Sequence, residues 1–189
     1  MSPIPPAVVG EADGAQTVQI FDWTLPVRTN GEEGEIAGTL TWIPSTTALP
    51  WFALSAVTLV AIAAGSMRLG ARWQATILLA LAVAALGAAL ASIAVQPPEG
   101  RTYGVDLLGP PVVIALSGLA FAQTRQSDRS ATQVVLIGGI GLAVWGLLRL
   151  DVLTHPILPT VLPYAFDRLI TAVVSGGAIG LVAGITASI

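Results

Sequence analysis

From Leu49 onward the chain alternates long apolar runs with short polar connections. The runs cover residues 49–67, 74–95, 109–123, 132–150 and 169–189. About 20 apolar residues in a row are needed for a helix to cross the hydrocarbon of a bilayer, so four runs are long enough as they stand. The third needs Leu107, Leu108 or an adjacent turn to reach across. The pattern predicts a membrane all-α fold, a five-helix transmembrane bundle over 49–189, preceded by an extracytoplasmic polar segment over 1–48.

Within that segment the period changes from helical to alternating. Residues 17–25 (TVQIFDWTL) and 35–43 (EIAGTLTWI) are rich in β-branched and aromatic side chains, and Asn30-Gly31 between them is a turn signal. The expected element is a small N-terminal β-hairpin with a loop of several residues around Asn30, Gly31 and Gly34. Gln19, Phe21, Trp23 and Leu25 are expected to share one face, and Ile36, Leu40 and Trp42 the matching one. A lone two-stranded hairpin is marginal in water. The pattern therefore predicts either packing on the membrane domain or membership of a larger sheet.

Between the last two runs lie Pro156, Pro159 and Pro163, which forbid a regular helix and predict an extended or re-entrant loop. Composition agrees with the pattern. With 54% hydrophobic and 10% charged residues and a mean hydropathy of +0.80, the chain departs from the roughly 25% charge of soluble domains. All eight basic residues are Arg and none cluster, so nucleic acid is not an expected partner. Cysteine is absent, which excludes disulfides, thiolate metal sites and thiol catalysis.

Charge gives an orientation. The connections after the first and third runs hold Arg68, Arg72, Arg125 and Arg129 with a single acid, Asp128. The other polar segments hold an equal number of Arg diluted by ten acids. Arg density in the two shortest loops places them inside, the amino terminus outside and the carboxyl terminus inside a bacterial cell membrane.

Candidate chemistry is sparse. Gly176, Gly180 and Gly184 form a small-residue stripe that lets a neighbouring backbone approach. Intramolecular packing is its ordinary use and a dimer interface the alternative; Gly138, Gly139, Gly141 and Gly146 make the fourth run the natural partner. Arg149 and Asp151 close the fourth run while Asp167 and Arg168 open the fifth, so these interface charges should meet at one surface and can pair crosswise. A catalytic carboxylate pair is conceivable there, but a structural role at the helix dipole and interface is the simpler reading. His155 is the only histidine, too few ligands for a metal site.

No run has a charge in its middle, which argues against ion-coupled transport. The polar side chains inside the runs include Ser55, Thr58, Thr76, Ser92, Ser117, Gln133 and Ser175. There is no phosphate-binding loop, nucleophile elbow or His-rich zinc motif. The sequence thus predicts no catalytic residues, no cofactor and no metal.

The stretches VQIFDWTLPV, IAGTLTWIPS and RLDVLTHPILPTVLP resemble the carboxyl-terminal part of an uncharacterised actinobacterial multi-pass membrane protein family with an extracytoplasmic β-domain. The resemblance implies a signal peptide and further β-strands upstream, with Met1 a start inside a longer reading frame. It also implies an envelope compartment shared with copper-handling secreted proteins. The family's His-containing stretch, which would precede MSPIPPAVV, is absent here. The expected function is a non-enzymatic scaffold or anchor of an extracytoplasmic β-element, with the lipid bilayer and other envelope membrane proteins as partners. The alternative is a permease or transporter component for a small solute or metal ion.

Overall fold

A computed structural model describes residues 17–29, 32–43, 47–95 and 105–188. The chain forms two compact units, Met1–Thr46 and Thr47–Ile189.

The first unit is an antiparallel hairpin of β1 (Val18–Thr29) and β2 (Glu32–Trp42), paired from Val18↔Trp42 to Thr29↔Glu32. The ladder runs further than the sequence pattern suggests. The strands extend to Thr29 and from Glu32, and Gly34, expected in the loop, sits in β2 opposite Val27; the expected turn at Asn30-Gly31 lies outside the described residues. Pro26 does not end β1, because each strand of a two-stranded ribbon is an edge and a missing N–H can face outward.

An irregularity between Gln19 and Phe21 shifts the register by one residue. A bulge of this kind moves side chains from one face to the other. Gln19 accordingly leaves the aromatic face: its Nε2 donates to Asp22 Oδ1 at 2.7 Å, and Thr39 Oγ1 donates to the same oxygen at 2.9 Å. Beyond the shift, Phe21↔Leu40, Trp23↔Gly38 and Leu25↔Ile36 occupy one face. The Trp23 ring lies over Gly38, where a Cβ would collide with it, so the indole covers the glycine that weakens the strand. Even so, Phe21, Leu25 and Ile36 stay half exposed at 50–54%.

The second unit contains α1 (Leu49–Ser66), α2 (Ala71–Ala94), α3 (Val105–Gln123), α4 (Asp128–Leu148) and α5 (Tyr164–Ser188), with a 3-10 turn at Leu150–Leu153. The protein is mostly helical, and α1, α2, α4 and α5 are long and apolar enough to cross a membrane by length and composition. The apolar part of α3, Leu107–Gln123, is shorter, as the sequence pattern suggests, and has Pro110 and Pro111 inside the helix.

The core explains why so small a set of side chains suffices. Ala75, Leu78, Ala82, Ala85 and Ala89 of α2 recur at alternating three- and four-residue steps and are fully buried. That spacing keeps one stripe toward its neighbours, and alanine lets helices approach closely where lipid supplies no hydrophobic drive. Leu142, Trp145, Val174, Leu181 and Ile185 fill the space from α4 and α5. α3 packs against α2 and α4, while α1 packs chiefly against α5.

The α1–α5 contact is backbone on backbone. A Cβ at Gly176 would strike the Ser55 carbonyl, one at Gly180 the Leu59 carbonyl, and one at Gly184 the Ala63 carbonyl and the Ser66 hydroxyl. The stripe is therefore buried inside the chain, but its partner is α1 and not the glycine-bearing α4. The reason lies in α4's own geometry: Gly138 faces Leu78 and Gly141 faces Val113, and only Gly139 and Gly146 point to α5, at Val182 and Ser175.

Candidate functional site: the charge cluster at the α4–α5 turn

Helix α5 begins at Tyr164, before the apolar run expected from residue 169. Pro163 starts it: its carbonyl accepts from Phe166 N at 2.8 Å and Asp167 N at 3.1 Å. Charged residues extend a helix past its apolar run when the first turn finds partners. Here that places Asp167 and Arg168 in the first turns, both buried.

Of the four interface charges, Arg149 and Asp167 pair, and Asp151 and Arg168 do not. Arg149 meets Asp167 at 3.4 Å, with side chains 8% and 1% exposed. The same nitrogen, Nη2, donates to Ser92 Oγ at 3.1 Å, so the end of α2 joins the cluster. The guanidinium also lies 5.2 Å from the centre of the Trp145 ring, one helical turn back, a cation–π arrangement. The Thr160 hydroxyl hydrogen-bonds the Asp167 carboxylate and accepts from Leu162 N at 3.2 Å, which ties the proline-rich loop to α5.

Arg168 and Asp151 do not pair. Arg168 donates instead from Nε to the Val152 carbonyl at 3.3 Å and from Nη2 to the His155 carbonyl at 2.7 Å. It thereby satisfies carbonyls that the 3-10 turn leaves free, as basic side chains do at helix ends. Asp151 keeps its side chain exposed, and only its carbonyl is used, by Thr154 and by His155 Nδ1 at 2.9 Å. A carbonyl can only accept, so the His155 Nδ1 donates. His155 lies in the loop, and among the described residues no three His, Asp or Glu gather to hold a metal ion.

The cluster lines a half-open cavity of about 240 Å³ bordered by Ser92, Arg149, Asp151, His155 and Asp167, with Leu148, Val152, Ile157, Leu158 and Pro159 completing the wall. The loop folds back on α2, where Val161 N donates to the Ala91 carbonyl at 3.2 Å.

Sequence reading missed three contributors. Ser92 is visible only as a hydroxyl in a span, and Thr160 only as a loop residue. Trp145, four residues before Arg149 on one helix face, carries a readable signal, since that spacing stacks the two side chains.

The opposite end is held differently. Buried Gln74 donates from Nε2 to the Ser66 carbonyl at 2.9 Å and the Leu69 carbonyl at 3.1 Å, clamping the α1–α2 turn. The Ser127 hydroxyl caps α4, accepting from Ser130 N at 3.4 Å. Arg68, Arg72, Arg125 and Arg129 project there, all exposed.

No family model, curated protein or solved structure matches this chain.

Proposed function

We propose that the protein is an integral membrane scaffold of the bacterial envelope, a five-span anchor that holds its hairpin outside and associates with other envelope proteins through it. The supporting observation is how five of the hydroxyls within the helices are used. Thr58, Thr76, Ser92, Ser117 and Ser175 each donate to the carbonyl four residues earlier in their own helix. A hydroxyl tied back to its own helix offers no donor to a passing solute. The glycine–backbone seam between α5 and α1 and the alanine stripe of α2 make the interior a packed core. The exposed Phe21, Leu25 and Ile36 give the hairpin a surface for a partner.

Photo-cross-linking in native membranes tests this. A benzoylphenylalanine at Leu25 or Ile36 should give a discrete adduct with one envelope protein, lost when Phe21 and Trp23 are replaced by Ser. Solute or metal uptake by proteoliposomes containing the purified protein, without any such adduct, would favour the permease reading instead.

A further inference from the structure

We propose that the cavity at the α4–α5 turn binds a small zwitterion, with an oxyanion seated on Arg149 and a primary ammonium at Asp151. Both residues line the same cavity, yet they form no ion pair with each other. Arg149 is about nine-tenths buried at 6% exposure, and its Nε has no hydrogen-bond partner. Its one ion pair, at 3.4 Å, is longer than the ~2.7–2.9 Å of a well-formed charge-assisted bond. The guanidinium therefore retains unused donor capacity at a site where leaving it unused is costly.

The Asp151 carboxylate has the complementary deficit. Only its backbone carbonyl is engaged, and Arg168, the cation that sequence spacing offers it, is committed to the Val152 and His155 carbonyls. A guanidinium with donors beyond those used by Asp167 and Ser92, facing a carboxylate that has no cation among the described residues, fits a ligand that carries both signs a few bonds apart. The volume, about 240 Å³, is many times the ~10–15 Å³ that a single water requires, enough for a head of several heavy atoms. Leu148, Ile157 and Leu158 in the wall suit adjoining methylenes.

This chemistry has two sources, an ethanolamine phospholipid headgroup or a free zwitterion. The proposal is independent of the scaffold reading, because it concerns occupancy of the cavity and not what the hairpin binds. The test uses the full chain purified in an uncharged detergent, titrated calorimetrically with O-phosphoethanolamine, dihexanoyl phosphatidylethanolamine and dihexanoyl phosphatidylglycerol. At least one ethanolamine probe should bind saturably, and the glycerol lipid, an anion without an ammonium, at least tenfold more weakly. Binding of the lipid probe alone identifies the headgroup as the ligand; binding of O-phosphoethanolamine as well identifies the free zwitterion. Asp151→Asn, at an exposed carboxylate, should weaken binding at least tenfold while leaving the unliganded thermal transition unchanged. Arg149→Lys, which keeps the charge but loses the fork, should also weaken it. No binding by either ethanolamine probe, equal binding by the glycerol lipid, or an unaffected Asp151→Asn variant would each overturn the proposal.

Discussion

Arg149 at the end of α4 and Asp167 in the first turn of α5 pair at 3.4 Å across a proline-rich connection, both almost fully removed from solvent. A buried pair is sensitive to losing one partner, because the other remains as an uncompensated charge; that costs about 3–5 kcal/mol. Arg149→Met or Asp167→Leu alone should each lower stability by that order in detergent unfolding curves. The double variant should recover most of the loss. Additive losses would show that the two residues are not coupled.

Gly180 of α5 and the two helical glycines Gly87 and Gly118 predict opposite signs. Gly180 has no room for a methyl, since the Leu59 carbonyl occupies the place of its Cβ. Gly180→Ala should separate α1 from α5 and lower the thermal transition, and Gly180→Leu should abolish the packed state. Gly87 and Gly118 are helical and face open space. Changing either to Ala should stabilise by about 0.5–1 kcal/mol through helix propensity alone. Equal effects at Gly180 and Gly87 would remove the backbone seam from consideration.

The hairpin gives a third comparison. Gly38→Val places side-chain atoms where the Trp23 ring now lies, so the indole must swing away and uncover the strand. The expected outcome is faster proteolysis within residues 17–43 of the full-length protein, with fragments of 49–189 unaffected. Protection equal to that of the parent chain would mean that Trp23 does not cover Gly38.

Much of this was legible because period and length are local properties. The five helices follow from apolar runs, and the proline loop from Pro156, Pro159 and Pro163. Three things were not legible. The partner of the glycine stripe depends on which helix offers bare carbonyls at matching heights, and Ser55, Leu59 and Ala63 of α1 carry no special mark in the sequence. The face of Gln19 depends on a bulge that no residue type announces. At the candidate site, Asp151 and Arg168 match by charge and spacing, but turn carbonyls reached Arg168 first. Backbone acceptors are invisible to a reading of side chains.

The membrane topology is tested most directly by cysteine accessibility, since the chain contains no cysteine of its own. Gly70→Cys and Gln126→Cys report on the connections after α1 and α3, and Thr24→Cys and Thr154→Cys on the hairpin and the proline-rich loop, all at exposed positions. An impermeant maleimide added to intact cells should label positions 24 and 154 and leave 70 and 126 unlabelled until the membrane is opened. Labelling of 126 with protection of 70 would show that the short α3 does not cross. Labelling of 70 and 126 with protection of 24 and 154 would invert the protein, and labelling of all four would contradict a membrane-spanning bundle altogether.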